Sequence, residues 1–287
     1  MVIYMIATLN KTKEILNKYN LRAKKGFGQN FLVDSNVVNR IVLESRITKE
    51  DGVIEIGPGI GSLTEALSQS AKKVLCYEVD SDMVKILSDN LKVNNVKVVE
   101  KDFLKVDLRD DLDYFSDCKE VKVISNLPYY ITTPIVFKLL ESDVNIDDYY
   151  FMVQKEVGER FSGKPKSKDY NSLSVAIDFQ ACAKVMFNVS RNSFYPAPNV
   201  DSVIINIKKV KKDYSVNNKA EFLKFVQNIF SQRRKTLVNN ISSSYGSSKN
   251  EITKMLVDNG YKETARSEEL STGEIVKLYK IFRGQDE

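Results

Sequence analysis

A chain of 287 residues can hold one large domain, or one large and one small. With 43% hydrophobic and 28% charged residues it has the composition of an ordinary folded protein, and no run is long and apolar enough to cross a bilayer. The net charge of +5, with a pI near 8.8, is compatible with a nucleic-acid partner without requiring one.

The N-terminus, Met1-Val2-Ile3-Tyr4-Met5-Ile6-Ala7, is apolar but short and has no basic residue before it. No signal peptide is expected, and a cytoplasmic location follows. Residues 8–20 read as a charged helix. A basic arm with Lys11, Lys13, Lys18, Arg22, Lys24 and Lys25 leads to Gly26-Phe27-Gly28-Gln29-Asn30-Phe31-Leu32. Asp34 or Ser35 is suited to cap a helix through Val37, Val38, Ile41 and Val42. An α/β alternation follows. Strands are expected at 53–56, 73–77, 96–99, 121–124 and 149–153, with helices at 62–70, 81–90 and 133–140. Short apolar strands separated by helices imply a mostly parallel, doubly wound sheet, with ligands beyond the carboxyl ends of its strands. Residues 162–171 read as a polar, basic loop, and 184–189 and 203–207 as further strands. After Lys212 the pattern is purely helical, with Phe222, Phe225, Val226, Ile229 and Phe230 on one face. The expected division is a catalytic domain over 1–210 and a small helical RNA-binding domain over 211–287.

Histidine is absent, which removes the commonest general base and metal ligand. The chemistry must run without histidine, and no metal is expected. Cys76, Cys118 and Cys182 are far apart, form no CxxC, and read as reduced buried thiols. Three basic clusters stand out: the N-terminal arm, Lys208-Lys209-Val210-Lys211-Lys212, and Arg233-Arg234-Lys235. Any one of them could be a solvated face; together they favour a nucleic-acid footprint.

Gly57, Gly59 and Gly61 follow a strand and open a helix. A dinucleotide-type phosphate loop would want glycine at 62, where this chain has Ser62. The alternating form after Glu55 instead resembles the methyltransferase loop, where glycine lets the backbone approach S-adenosylmethionine closely, a cofactor that carries no phosphate. A glycine turn alone is a weak signal. Glu78, at the end of the next strand, is placed to accept the ribose hydroxyls. Asp102, after the third strand, is placed to accept from the cofactor's adenine amine. The fold class is therefore a Rossmann-like S-adenosylmethionine-dependent methyltransferase domain with a small all-helical C-terminal domain.

Asn126-Leu127-Pro128-Tyr129 follows the fourth strand. Adenine's exocyclic nitrogen is a poor nucleophile because its lone pair is delocalised into the ring. Two acceptors, the Asn126 side-chain oxygen and the Leu127 carbonyl, can take its two hydrogens and free the lone pair. Pro128 fixes the backbone, and Tyr129 offers a face to an extruded base. In isolation the tetrapeptide is closer to a turn than to an active site, and its weight comes from following the glycine loop and the two acids. Phe194 is a second stacking candidate, or else a loop aromatic that plugs the core.

Five motifs in order then resemble the rRNA adenine N6-dimethyltransferases over nearly the whole chain: Gly28 to Leu32, Glu55 to Thr64, Glu78 with Asp102, Asn126 to Ile131, and Phe194 to Ser202. The resemblance implies that the Asn30 side chain and the Leu32 backbone contact the cofactor, together with Gly57, Glu78, Asp102 and Asn126. Asn126-Leu127 rather than Asn-Ile, and Val200-Asp201-Ser202 rather than Val-Asn-Ser, set it apart from macrolide-resistance methylases. Asn30-Phe31 rather than His-Phe sets it apart from eukaryotic-type enzymes. The bacterial housekeeping branch is implied. Its members dimethylate two adjacent adenosines in a hairpin near the 3′ end of 16S rRNA during small-subunit assembly. A monomer acting on rRNA, with no membrane partner, is expected. The rival readings are a macrolide-resistance-type large-subunit rRNA methylase, a DNA adenine methylase and a non-catalytic assembly factor. The extension before Leu21 has no role in this pattern.

Overall fold

Two hydrophobic periods alternate along most of the chain, and the computed structural model turns them into a sheet covered by helices. It describes residues 6–23, 28–142, 144–146, 148–210, 212 and 214–284; Lys24, Lys25 and Lys211 of the basic clusters lie outside these. The elements before the sheet are α1 (Leu9–Lys18), β1 (Phe31–Leu32) and α2 (Ser35–Ser45). Then come β2 (Gly52–Ile56), α3 (Ser62–Ser70), β3 (Lys73–Glu78), α4 (Ser81–Asn90) and β4 (Val96–Glu100). The second half of the sheet uses β5 (Val121–Asn126), α5 (Thr132–Glu141) and β6 (Asp148–Gln154). These are followed by α6 (Lys155–Phe161), α7 (Ser172–Asp178), β7 (Ala181–Val189), β8 (Phe194–Tyr195) and β9 (Ser202–Lys209).

Seven strands form one sheet in the order β4-β3-β2-β5-β6-β9-β7. β4, β3, β2, β5 and β6 pair in parallel, and β9 returns antiparallel to β6. All five residues of β2 are buried, as expected of a parallel strand covered on both faces. The chain builds outward from β2 to β3 and β4, then crosses back to β5 and β6. The carboxyl ends of β2 and β5 therefore flank the switch point, where open α/β sheets bind ligands.

Asp34, rather than Ser35, caps α2: its carboxylate accepts from the backbone N–H groups of Asn36 and Val37. A two-stranded antiparallel pair, β1 with β8, was not expected from the pattern. It joins segments from opposite ends of the first unit and is too short to show a period. The N-terminal extension has a clear packing role. Ile15 and Leu16 of α1 are buried in one cluster with Phe31, Ile60, Met83 and Ile86. Helix α1 thus backs both the strip that ends in Leu32 and the glycine loop.

The chain divides into two compact units, 1–158 with 184–209, and 159–183 with 210–287. A single cut at residue 210 is therefore a correction to make: residues 159–183 group with the C-terminal helices. The reason is packing, since Tyr170 and Val175 are buried in one cluster with Phe222, Phe225, Ile229 and Tyr279. The second unit contains α8 (Lys219–Ile229), α9 (Leu237–Tyr245), α10 (Lys249–Asp258) and α11 (Thr272–Arg283). Asn218, Thr236 and Ser271 cap three of these helices with their side chains.

Candidate functional site

Four parallel strand ends deliver four segments to one cleft of about 320 Å³, a size suited to a small-molecule site. Its lining includes Asn30, Leu32, Gly57, Glu78, Asp102, Asn126, Leu127 and Tyr129. The structure thus brings together all the expected site residues except Phe194.

The glycine loop begins where β2 stops. Gly57 and Gly59 hold φ of +68° and +57°, a region that L side chains adopt only at a cost. A Cβ on Gly59 would stand 3.3 Å from the Phe31 ring, so a side chain there is doubly disfavoured. The loop is pinned to the neighbouring strand end by the Gly59 N–H, which donates to Glu78 Oε2 at 3.1 Å. Glu78 Oε1 accepts from the N–H groups of Val79 and Asp80 at 2.8 and 2.9 Å. The carboxyl is 6% exposed. Burial raises its pKa, and the three backbone donors oppose that rise. A carboxylate offers about four acceptor positions, so about one remains for a sugar hydroxyl.

Asp102 caps a short 3₁₀ turn, accepting from Leu104 N at 3.0 Å through Oδ1. Glu55 lies deeper, 1% exposed, with Cys76 Sγ 3.8 Å from Oε2. Burial pushes its carboxyl up to about 8, aided by the negative charge of Glu78. At neutral pH the cleft therefore has a protonated acid at its floor, too buried to serve as a base for substrate.

The segment after β5 is held from several sides. The Ser125 hydroxyl donates to Ile56 O, joining the two strand ends at the switch point. Leu127 N–H donates to Met152 O at 3.1 Å, extending the pairing with β6. Pro128 O accepts from Ile131 N–H and from the Thr132 hydroxyl. The Asn126 amide donates from Nδ2 to Asn30 O at 3.4 Å. That bond uses the donor end of the amide, and Asn126 and Leu127 both line the cleft. Asn30 in turn donates from its side chain to Gly28 O at 3.0 Å. Tyr129 is anchored by its hydroxyl, 2.7 Å from Ser202 Oγ. The late Val200-Asp201-Ser202 motif thus acts on the site through Tyr129.

Phe194 requires a correction. It is 4% exposed, packs in the main core with Leu32, Val38 and Phe187, and does not line the cleft. The β1–β8 pair sets Phe194 opposite Leu32 and fixes it there. Of the two roles open to it, the core plug is the one this structure shows. The cysteines also differ from expectation: all three are free thiols, but only Cys76 is buried, and Cys182 is exposed.

The basic clusters separate once side chains are placed. Lys11 pairs with Glu14, and Lys13 and Lys18 lie over the rings of Tyr195 and Tyr19. Lys209 donates to Ser142 O, and Lys212 pairs with Asp178. Arg233, Arg234 and Lys235 form an exposed turn between α8 and α9. Among the described residues, no group of three or more His, Cys, Asp or Glu side chains is placed to hold a metal, and no helix is long and apolar enough to cross a membrane.

A mostly parallel sheet with a switch-point cleft, a glycine loop after its first long strand and acids on the next two strand ends defines the class: a Rossmann-like methyltransferase. The ribosomal RNA adenine dimethylase family matches residues 20–283, and the chain belongs to that family. It is 46% identical to "Ribosomal RNA small subunit methyltransferase A" of Bacillus licheniformis, over 97% of each chain. Identity to the protein of the same name from Leuconostoc mesenteroides is 45%, over 98% of this chain and 97% of that one. Among solved structures, a dimethyladenosine transferase from Plasmodium falciparum superposes with a TM-score of 0.74 at 25% identity, covering 89% of this chain and 98% of that one. The 23S rRNA methyltransferase ErmE superposes at 0.61 with 22% identity, covering 88% and 100%, which is a likeness of fold.

Three residues of the site gained a place only from the tertiary structure. Glu55 lines the cleft, Ser202 anchors Tyr129, and Tyr130 stands exposed at the cleft. The signals were present as motif neighbours, but no residue-type argument separates a buried acid or an anchoring hydroxyl from a surface one.

Proposed function

We propose that this enzyme uses S-adenosylmethionine to dimethylate N6 of two adjacent adenosines in a hairpin near the 3′ end of 16S rRNA, in the cytoplasm, during small-subunit assembly. The observation that carries the reading is that Asn126 and Leu127, which offer two acceptors, line one cleft with Glu78 and Asp102. The names of its relatives, small-subunit methyltransferases at 45–46% identity over nearly the full length, support rRNA of the small subunit as the substrate.

The cleft suits the cofactor's chemistry: a glycine loop open to close approach and a buried acid for the sugar. S-adenosylmethionine, when bound, supplies an electrophilic methyl group. The chain's own part is positioning and electrostatics. Asn126 Oδ1 and Leu127 O accept the two N–H groups of the target amine, which localises the nitrogen lone pair. Tyr129, locked by Ser202, presents a fixed face to the extruded base. After one transfer a single N–H remains, so the second transfer proceeds with one acceptor satisfied. With no histidine in the chain, the displaced proton passes to solvent. Asn30, Leu32, Gly57, Glu78 and Asp102 hold the cofactor in this reading. The helical unit, with exposed Arg233, Arg234 and Lys235, contacts RNA, and the enzyme acts as a monomer.

The test is transfer of labelled methyl groups to undermethylated small subunits, followed by mapping and mass analysis of the modified nucleotides. Dimethyladenosine at two adjacent positions of 16S rRNA is expected. Label in 23S rRNA or DNA alone, or none in RNA, would refute the reading. Expression is also expected to leave macrolide tolerance unchanged.

A further inference from the structure

The two tyrosines of the segment after β5 have opposite surroundings. Tyr129 is largely covered and bonded to Ser202, whereas Tyr130 lines the same cleft but is 55% exposed. Tyr130 sits in the short 3₁₀ turn Tyr129–Ile131, which is closed by the Ile131 N–H donating to Pro128 O. The ring therefore leaves the backbone from a braced turn rather than from a loose loop. Its Cδ1 lies 3.4 Å from where a Cβ would stand on Gly28, at the start of the strip that ends in Leu32. Gly28 and Asn30 belong to that strip, and Asn126 and Tyr130 belong to the segment after β5. The Asn126–Asn30 hydrogen bond and the Tyr130–Gly28 approach are two ties between the same walls. Glu78 and Asp102 line the same cleft, and the phenol is shifted upward by burial first and then by their negative charges.

We propose that Tyr130 is a cofactor-binding residue, its ring meeting Gly28 as a clasp over the nucleoside end of the bound S-adenosylmethionine. The inference rests on the reading of the cleft as that cofactor's site. A tyrosine more than half exposed in a cleft that Glu78 and Asp102 also line offers an aromatic surface to a flat, hydrogen-bonding nucleoside. Gly28 contributes no side chain, so the ring can approach the opposite wall and still leave width for a ligand beneath it. Tyr129 serves the target base, and Tyr130 serves the cofactor.

Isothermal titration with S-adenosylhomocysteine on the full chain tests this, using the wild type, Tyr130→Ala, Tyr130→Gln and Tyr130→Phe. The Ala and Gln variants are expected to bind about tenfold more weakly, the order lost when an aromatic face against a base is removed, while Phe stays within about twofold. The KM for small-subunit RNA is expected to stay unchanged in all three, as is the thermal midpoint. Ala and Gln variants that bind the product as tightly as the wild type overturn the clasp. So does a raised RNA KM with unchanged product affinity, which would assign the ring to the target base. A wild type that fails to bind S-adenosylhomocysteine refutes the cofactor site itself, and the clasp with it.

Discussion

Replacing Glu55 by Gln makes the protein's stability respond differently to pH, with a sign that the structure dictates. The carboxyl is fully buried, and its pKa moves from 4.5 up to about 8 because burial disfavours the charged form. Between these values the unfolded chain has released the proton and the folded chain retains it. The folded state then binds more protons, so stability falls as pH rises through this window. Each pH unit costs about 1.4 kcal/mol, so between pH 5 and pH 8 the wild type loses on the order of 3 to 4 kcal/mol through this one group. Below pH 4.5 the penalty is absent, and above about 8 it no longer grows. Glutamine keeps the shape and cannot ionise. Urea unfolding at pH 5, 6.5 and 8 should therefore show Glu55→Gln gaining on the wild type as pH rises. Glu78, shifted in the same direction, adds a slope common to both proteins, so the difference isolates Glu55. Parallel stability curves for the two proteins would refute the reasoning.

Asn126→Ala should lower single-turnover methyl transfer by about 100-fold or more while sparing the fold, since it removes one of two acceptors for the target amine. Substantial remaining turnover would contradict its role. Phe194→Ala should cost about 3–5 kcal/mol in urea unfolding, as a core truncation does; preserved stability with weakened RNA affinity would instead reassign the ring to stacking. Ser202→Ala removes the 2.7 Å anchor of Tyr129 and should raise the KM for RNA while leaving S-adenosylhomocysteine affinity unchanged. An unchanged KM would dismiss the anchor. Arg233→Ala with Arg234→Ala should weaken RNA binding and reduce the salt slope by about 0.7 to 0.9 for each phosphate no longer neutralised. The same affinity across salt concentrations would remove that turn from the footprint.

The α/β alternation was legible in the chain because buried parallel strands read as short apolar runs, and the helices between them carry side-chain caps or apolar faces. Helices 62–70 and 81–90 match the pattern to the residue. The chemistry at the strand ends was legible too, because Gly57, Glu78, Asp102 and Asn126 fall at successive strand ends, although each alone reads as a turn residue. What sequence spacing could not decide was which of two faces a side chain takes. Phe194 belongs to a motif and reads equally as a stacking ring or a core plug, and a two-residue pairing with β1 places it in the core. Lys209 and Lys212 read as part of a basic patch until Ser142 and Asp178 engage them. Residues 159–183 read as part of the first domain until Tyr170 and Val175 join the helical core. Each of these outcomes is set by packing between residues far apart in the chain, which local periodicity does not encode. The sequence by itself therefore determined the kind of sheet and the residues at its carboxyl edge. Tertiary packing alone decided which neighbours brace them: Ser202 behind Tyr129, Asn30 against Asn126, and Gly28 facing Tyr130.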